Sequence, residues 1–321
     1  MKTSNHLLRR LTAALLAAVL ALSIALPVFA SDDGDTIYIN SVSDLLSLAR
    51  NCAYDQWSVG KTVILQKDLS LEGMLWEPIP SFSGQFKGNG HTISDLTITG
   101  QYSPAGLFGI VEEQGSIESL SVRGVVSVSD SADTTTGGIV GINHGTPISC
   151  QFTGVVTGDS EVGGIVGRNE SEGTIDHGTA RAIVTGKSST GGIAGYNLGA
   201  ITGCTNVGSI NTEYPEASLD TDGFTAKMVD YINNKMAAAD DDATNSVTNV
   251  ATDTGGIAGR SSGMILTSVN TGTVGYEHIG YNVGGIVGRT DGLVSGCVNQ
   301  GRVLGRKDVG GIAGQAEPYR E

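Results

Sequence analysis

The sequence is poor in aromatic residues and in charge. Aromatic residues make up 5% of the chain and charged residues 16%, whereas about a quarter of the residues in an average globular domain are charged. This composition excludes a helical bundle rich in Leu, Glu and Lys. Basic residues are also scarce, at 19 against 33 acidic ones, which makes nucleic acid and anionic membrane surfaces poor partners for the chain.

Long hydrophobic runs are confined to the first thirty residues. A basic start precedes an apolar run over residues 11–26, and Val28 and Ala30 occupy the two positions that signal peptidases read. We predict a signal peptide over residues 1–30, cleaved after Ala30, and a secreted or cell-surface protein with no membrane insertion after cleavage. An uncleaved membrane anchor is the alternative, but sixteen helical residues span only about 24 Å, less than the ~30 Å hydrocarbon core.

Glycine is abundant, at 47 of 321 residues, but it does not fall at every third position, which excludes collagen. It occurs instead in six copies of Gly-Gly-Ile-(Val/Ala)-Gly, at spacings of 26, 28, 64, 29 and 26 residues. These copies begin at Gly137, Gly163, Gly191, Gly255, Gly284 and Gly310. A repeat period of this size indicates a solenoid, a propeller or an array.

Each unit contains three short β-prone segments separated by turns, such as Gly164–Val166, Thr174–Asp176 and Ala182–Thr185. Three strands with three turns fill such a unit, whereas a propeller blade usually needs roughly 40 residues or more. We therefore predict an all-β fold, a right-handed single-stranded parallel β-helix, because parallel crossovers are nearly always right-handed. Equivalent residues of successive coils then stack about 4.8 Å apart.

Two features of the motif follow from such stacking. The glycines are expected to supply positive φ at the corners of the coil, and the motif isoleucines are expected to form one aliphatic column inside it. The column consists of Ile139, Ile165, Ile193, Ile257, Ile286 and Ile312.

The segments outside the coils form a cap and an interruption. We predict an N-terminal α/β cap over residues 31–80, with a strand at 36–40 and a helix that begins at a capping box of Ser41 and Asp44. β-helix coils follow over residues 81–211 and again over 253–321. Between them, residues 212–252 form an acidic insertion with one amphipathic helix from about Thr225 to Ala239. This helix either lies against the coils or docks another protein.

The C-terminal end lacks a comparable cap. The sequence after Gly310 stops at Glu321, inside what is expected to be another coil. Because solenoids need their ends covered, three expectations remain open. The natural protein continues further, the gene product is incomplete, or an end-to-end contact with a partner covers this end.

One stretch of the sequence resembles a known family. Residues 76–98 read W-E-P-I-P-S-F-S-G-Q-F-K-G-N-G-H-T-I-S-D-L-T-I, and the later units read G-G-I-V-G-x-N-x-G. Together they resemble the GLUG-motif repeats of bacterial exported proteins, which occur beside the catalytic part of immunoglobulin-A-cleaving metallopeptidases and in surface proteins of gut bacteria. The resemblance implies a β-helical fold for most of residues 37–321 outside the insertion. It implies no protease activity, because the zinc motif H-E-x-x-H is absent from the sequence.

One column of the predicted coils carries the candidate site. Arg260 and Arg289 follow the motif at the same position and are predicted to stack one coil apart, where like charges repel unless anions or carboxylates intervene. Aromatic and hydrogen-bonding residues lie nearby in the sequence. The candidate ligand-binding strip, for an anion or a glycan, is Arg260, Arg289, Tyr276, His278 and Tyr281. The alternative is solvated arginines that pair with local acids such as Asp291 and Asp308.

Other polar residues are predicted to be structural. Cys150 and Cys204 share a column two coils apart, about 9.6 Å, which exceeds the roughly 7 Å limit between Cα atoms for a disulfide. We therefore expect free, buried cysteines. Asn143, Asn169 and Asn197 are predicted to form a turn ladder. The turn acids are expected to be merely solvated: Asp159, Glu161, Glu170 and Glu172. No catalytic residue, metal site or cofactor is predicted.

The sequence thus favours a non-enzymatic, exported or cell-surface repeat region that acts as an adhesin-like binding stalk or scaffold, with a glycan or a surface protein as its partner. Two alternatives remain. One is a carbohydrate-active β-helix enzyme, a polysaccharide lyase or hydrolase, which would need paired carboxylates. The other is the accessory region of a larger secreted metallopeptidase whose catalytic part is absent from this chain.

Overall fold

The computed structural model describes residues 35–54, 56–128, 134–212 and 251–318. The predicted signal peptide and the predicted helix of the insertion lie outside these residues. Contacts divide the chain into residues 1–36 and residues 37–321, and the coils belong to the second unit.

The described residues form an all-β parallel solenoid of about eight turns. Four sheets run along it, and the strand pairings from β2 onward are parallel. Sheet 1 has nine strands, namely β1 (Thr36–Ile39), β2 (Thr62–Leu65), β5 (Gln85–Lys87), β8 (Ser116–Glu118), β12 (Thr146–Ile148), β16 (Thr174–Asp176), β20 (Ala200–Thr202), β25 (Met264–Leu266) and β29 (Leu293–Ser295).

Sheet 2 also has nine strands, namely β3 (Leu69–Ser70), β6 (Thr92–Gly100), β9 (Ser121–Val128), β13 (Gln151–Thr157), β17 (Thr179–Thr185), β21 (Thr205–Asn206), β22 (Ser209–Ile210), β26 (Val269–Asn270) and β30 (Val298–Asn299). In this sheet β17 pairs with both β21 and β22.

The motif connects sheet 4 to sheet 3. Its first glycine ends a strand of sheet 4, and its fourth residue begins a strand of sheet 3. Sheet 3 has eight strands, namely β4 (Ile79–Phe82), β7 (Phe108–Val111), β11 (Val140–Asn143), β15 (Val166–Asn169), β19 (Ala194–Asn197), β24 (Ala258–Ser261), β28 (Val287–Thr290) and β32 (Ala313–Ala316). Sheet 4 has six, namely β10 (Thr136–Gly137), β14 (Val162–Gly163), β18 (Ser188–Gly191), β23 (Thr252–Gly255), β27 (Tyr281–Gly284) and β31 (Lys307–Gly310).

Each complete repeat contributes strands to four sheets rather than the predicted three, because the motif forms a corner. Strand β14 ends at Gly163 and β15 begins at Val166, so the predicted strand Gly164–Val166 is wrong. The backbones come very close at this corner. A Cβ on Gly163 would lie 1.9 Å from the Val166 carbonyl oxygen, and one on Gly164 would lie 2.2 Å from that of Gly192 in the next coil. The motif glycines therefore supply space.

Positive φ, which we expected of those glycines, occurs elsewhere. From the β8–β9 corner to the β29–β30 corner, the turn between sheets 1 and 2 has a left-handed residue in six successive coils, and four of these residues are not glycine. They are Ser119, Ser149, His177 and Thr267, with φ of 51°, 51°, 51° and 49°. The left-handed backbone conformation is unfavourable for residues other than glycine. We therefore infer that the stacking of neighbouring coils stabilises this corner.

The isoleucine column lies inside the coils as predicted. Five of its six members have no exposed surface, and Ile312 in the last described coil is 42% exposed. Burying one such side chain contributes roughly 1.5–3 kcal/mol. The three phenylalanines of the first coils, Phe82, Phe86 and Phe108, form a ring cluster with centroids 5.4 to 6.3 Å apart.

A short helix precedes the coils. Helix α1 (Val42–Asn51) begins after Ser41, whose hydroxyl accepts a hydrogen bond of 3.2 Å from the Asp44 amide. The Asp44 carboxylate in turn accepts one of 2.9 Å from the Asn40 amide. Leu45 and Leu48 are buried against the core. Within the described residues no helix has the length and apolar character needed to span a membrane.

Candidate ligand-binding site

One column of half-buried side chains runs along sheet 3, at the position after the motif. Its members pair in register from coil to coil: Ile142, Arg168, Tyr196, Arg260, Arg289 and Gln315. The repeat spacing predicted this column, including the one-coil separation of Arg260 and Arg289. Three guanidinium groups and one phenol ring therefore occupy four successive coils. We call these four residues the arginine–tyrosine stack.

Arg168 is neutralised within its own coil. Its Nε donates to Glu170 at 2.7 Å and its Nη1 donates to Glu161 at 2.9 Å. Burial alone would lower the pKa of this guanidinium, but the two carboxylates outweigh burial and raise it. The two acids carry more negative charge than Arg168 carries positive charge, so this coil offers no attraction to a further anion.

Tyr196 is sandwiched along the solenoid axis between two guanidinium groups. The Arg168 and Arg260 guanidinium carbons each lie 5.2 Å from the centroid of its ring. Each such cation–π contact is worth roughly 0.5–1 kcal/mol where it is partly exposed. The Tyr196 hydroxyl lies 3.4 Å from the Ser262 hydroxyl. Because both faces of the ring are covered, Tyr196 positions Arg260 and offers no face to a ligand.

Arg289 pairs with an acid that sequence reasoning missed. We expected Asp291 or Asp308 beside these arginines, but Nη2 of Arg289 donates to the Glu317 carboxylate of the next coil. The Asp308 carboxylate lies 3.9 Å from Lys307 instead. Within the described residues, the Nε of Arg289 is buried and has no hydrogen-bond partner.

Arg260 has no ion pair within the described part of the chain. The residues equivalent to the two acids of Arg168 are Asp253 and Ser262, as the register of sheets 3 and 4 shows. Ser262 carries no charge. An oxygen of Asp253 accepts a hydrogen bond of 2.6 Å from Asn282, and Asp253 is nearly buried. In the described part of the chain, the Arg260 guanidinium therefore lies over the Tyr196 ring without an ion pair.

The remaining residues of the predicted strip are divided between a loop and another sheet. Tyr276 and His278 lie between β26 and β27, where Tyr276 is 7% exposed and the His278 side chain is 89% exposed. Tyr281 belongs to sheet 4, where it pairs with Thr252 and Lys307. The strip is thus not one surface, and the arginine–tyrosine stack is the compact part of it.

The turn acids are paired rather than simply solvated. Besides the two carboxylates on Arg168, Asp159 lies 2.6 Å from Lys187 of the next coil. The prediction of solvated acids was wrong for these three residues, because the turns bring Glu161 and Glu170 beside Arg168 and the stacking of coils brings Lys187 beside Asp159. Glu172 is the exception, with its nearest hydrogen-bond donor the adjacent Ser171.

The predicted asparagine ladder is present and has a second counterpart. Asn143 donates to Asn169 at 2.7 Å, and Asn169 donates to Asn197 at 2.8 Å, with all three side chains buried. A ladder in sheet 2 that we did not predict joins Asn206, Asn270 and Asn299 at 2.7 and 2.8 Å. The signal for it was a recurrent Asn-x-Gly, which satisfies the asparagine amide locally. Both ladders are structural.

The cysteines are free thiols. Burial raises the pKa of Cys150 and of Cys204 to about 12, and that of Cys52 to about 11. Such thiols are protonated at neutral pH and do not act as nucleophiles. The prediction of unbridged cysteines was correct, and Cys297 alone is only half-buried.

A groove near the first coils is acidic. It encloses about 700 Å³ and is lined by Glu112, Glu113, His144 and Glu172 among others. Ser81 donates a hydrogen bond of 2.8 Å to the Glu112 carboxylate. Among the described residues, no group of three or more His, Cys, Asp or Glu side chains is arranged to hold a metal ion. The groove was not predicted, because its walls come from a corner column in which the residue type changes with every coil.

Comparison with known proteins identifies the architecture. No known family profile matches the chain. A structure of an immunoglobulin A1 protease-like protein from Bacteroides ovatus aligns with a TM-score of 0.52 at 16% identity, covering 88% of this chain and 84% of that one. The chain is a parallel β-solenoid. At this identity the likeness carries the fold and no activity.

A sequence relative matches a shorter part of the chain. Over 100 residues the chain is 35% identical to halomucin from Haloquadratum walsbyi, a match that covers 31% of this chain and 1% of halomucin. The chain therefore corresponds to a very small fraction of that protein. About a third of this chain is thus similar to a small segment of a much larger protein.

Proposed function

We propose that this protein is a non-enzymatic, exported repeat region that serves at the cell surface as a stalk or scaffold and carries a binding face. The observation that carries the proposal is the contrast between its inner and outer columns. The inner position of the motif is isoleucine in six coils, whereas the outer position on sheet 3 changes from Ile142 through Arg168 and Tyr196 to Gln315. An invariant core with a variable surface suits display of side chains on a rigid frame.

Three finer parts belong to the same proposal. The coils wind right-handed, as parallel crossovers do. The repeats belong to the GLUG-motif type, and residues 1–30 direct export and are removed after Ala30. Similarity to halomucin and to an immunoglobulin A1 protease-like protein supports an extracellular setting.

Export is tested by expressing the full chain in a bacterial host and determining its mature N-terminus. The expected product starts at Ser31 and is degraded when intact cells are treated with protease. The variant Ala30→Arg, which places a large charged residue at the cleavage position, should retain residues 1–30. Wild-type protein that keeps Met1 and stays in the cytoplasm would refute the proposed setting.

The acidic groove favours a second candidate function, a polysaccharide-cleaving enzyme. Glu112, Glu113 and Glu172 place carboxylates around one cavity, and glycoside cleavage uses carboxylate pairs. A panel of polysaccharides assayed for reducing ends or unsaturated products separates the two functions. Our proposal expects no turnover. Turnover that disappears in Glu112→Gln and persists in Asp291→Gln, an acid outside the groove, would replace it with the enzyme.

The third candidate, an accessory region of a larger secreted metallopeptidase, is favoured by the structural likeness to the immunoglobulin A1 protease-like protein. It requires a catalytic segment with H-E-x-x-H elsewhere in the natural protein. Sequencing the gene beyond the codon for Glu321 decides this. A downstream H-E-x-x-H in the same reading frame would make the stalk a part of a protease.

A further inference from the structure

We propose that Arg260 and Arg289 bind the carboxylate groups of an acidic polysaccharide that lies along the solenoid axis, with Tyr196 positioning Arg260. The inference names the ligand class of the binding face and so rests on the proposed function. It comes from the unequal neutralisation of chemically identical arginines in one column.

The distribution of acids selects these two residues. Arg168 is matched by two carboxylates of its own coil at 2.7 and 2.9 Å. At the equivalent positions around Arg260 stand Ser262 and a nearly buried Asp253 already engaged by Asn282. The stack therefore changes from two carboxylate partners at Arg168 to no ion pair, among the described residues, at Arg260.

The register pairing of Arg260 with Arg289 places two positively charged residues on neighbouring strands. Arg260 and Arg289 are register partners on β24 and β28, so their backbones are one coil apart, about 4.8 Å. Like charges on neighbouring strands destabilise the sheet unless an anion lies between them. Glu317 balances one of the two. Arg260 has no ion pair among the described residues that an external carboxylate would have to displace.

The hydrogen bonding of Arg289 is incomplete in the same place. Glu317 engages only Nη2, while Nε is buried without a partner among the described residues. A bidentate carboxylate binds Nε and Nη2 of one guanidinium together. A ligand carboxylate that replaces Glu317 and draws the guanidinium outward satisfies both groups. Glu317 therefore competes with the ligand.

The surroundings favour a saccharide polymer over a peptide. Strands β24 and β28 each have a neighbour on both sides, so no free edge is available for the strand addition by which many extended peptides bind. Recognition must come from side chains spaced regularly along the axis. A linear polyuronate carries one carboxylate on each sugar residue and therefore presents carboxylates repeatedly along its length. Both faces of the Tyr196 ring are covered, so the sugar rings of the polymer do not stack on it.

The test measures binding of the full chain to polygalacturonate by biolayer interferometry. Fully methyl-esterified polygalacturonate has the same backbone without charge, and poly-glutamate carries carboxylates on a peptide. We expect binding to polygalacturonate, and at least tenfold weaker binding to the methyl ester and to poly-glutamate. Equal binding to the ester would rule out carboxylate recognition. Equal binding to poly-glutamate would replace the saccharide with an acidic peptide.

Variants locate the site. Arg260→Gln and Arg289→Gln should each weaken binding at least tenfold, whereas Glu317→Gln should strengthen it about threefold by releasing Arg289. Arg181→Gln is the matched control, because it removes the same charge from an exposed position on sheet 2 and should change affinity less than twofold. An equal loss in Arg181→Gln would mean diffuse attraction and overturn the site. So would unchanged affinity in Arg260→Gln.

Two further readouts keep the outcomes separate. Circular-dichroism melting of each variant shows whether it is folded. The affinity for polygalacturonate should fall in Tyr196→Leu and should stay near the wild-type value in Tyr196→Phe, which keeps the ring. If export to the surface holds but polygalacturonate does not bind, only this inference fails. If binding holds and the chain stays in the cytoplasm, only the proposed function fails.

Discussion

The side-chain amide of Asn206 donates a hydrogen bond of 2.7 Å to Oδ1 of Asn270, although 64 residues separate them in the sequence. The interval includes the insertion, yet the two residues are direct register neighbours on β21 and β26. The coils on either side of the insertion are therefore consecutive, and a hydrogen-bonded ladder continues across it.

Removing the middle of this ladder should destabilise the solenoid. Asn270→Ala removes a donor to Asn299 and an acceptor for Asn206 inside the coil. Because buried polar groups lose their partners, we expect the free energy of unfolding to fall by roughly 2–4 kcal/mol, measured by urea denaturation. Asn299→Ala, at the half-buried end of the ladder, should cost about 1 kcal/mol or less. Equal losses would mean that the ladder has no cooperative role.

The motif corner should not tolerate a methyl group within the stack. Gly164→Ala places a Cβ 2.2 Å from the Gly192 carbonyl oxygen, a backbone atom that cannot move away easily. We expect a loss of several kcal/mol, or failure to fold, since overpacking typically costs about 1–3 kcal/mol even where side chains can adjust. The readout is the melting temperature.

The chain contains its own control for this substitution. Gly311 occupies the same motif position in the last described coil, and a Cβ there meets no atom of the described residues within 4 Å. Gly311→Ala should change the stability by less than about 0.5 kcal/mol. If both variants melt together, the glycine is required for reasons other than close approach.

The buried cysteines should resist alkylation. With a pKa of about 12, Cys150 and Cys204 contain little thiolate at pH 8, so iodoacetamide should modify Cys297 first. Peptide mass spectrometry measures the extent at each site. Rapid modification of Cys150, or a Cys150–Cys204 disulfide, would contradict the stacked arrangement.

The same thiols predict how stability depends on pH. Their folded pKa lies above the ordinary value of 9.0, so their contribution is complete below pH 9 and is lost as the pH rises from 9 toward 12, where unfolded thiols ionise first. Each contributes at most about 1.4 kcal/mol per pH unit. The free energy of unfolding of Cys150→Ala/Cys204→Ala should therefore fall less between pH 9 and 10.5 than that of the wild type.

The Tyr196 ring should stabilise the stack through its two guanidinium contacts. Tyr196→Leu removes both, and we expect a loss of about 1–2 kcal/mol. Tyr196→Phe retains the ring and gives up only the 3.4 Å contact with Ser262, so it should lie within about 0.5 kcal/mol of the wild type. Thermal melts of the three proteins decide this, and a Phe variant as unstable as the Leu variant would assign the effect to the hydroxyl.

The repeat made the register predictable. Once the motif copies are aligned, the pairing of Arg260 with Arg289 and the asparagine ladder of Asn143 and Asn169 follow from counting residues. The partner of Arg289 did not follow. Its acid, Glu317, lies 28 residues away in the next coil, and the choice among three nearby acids depends on side-chain geometry. The sandwich of Tyr196 was missed for the same reason.

The number of sheets could not be predicted from the local sequence pattern. Gly164 to Val166 looks like part of a strand in the sequence, but these residues turn a corner where one coil passes within van der Waals contact of the next. β-propensity describes a segment by itself, whereas a corner exists only because neighbouring coils exclude every residue larger than glycine.

The repeat spacing was enough to derive the period, the order of residues in the aligned columns and the unbridged state of the cysteines, because a parallel stack transmits position directly into register. Which arginines are paired with carboxylates follows only from the packed side chains. Ion pairs form between side chains from different strands and coils, at distances that backbone register restricts but does not specify, and these distances leave Arg260 as the arginine of the stack that has no carboxylate partner among the described residues.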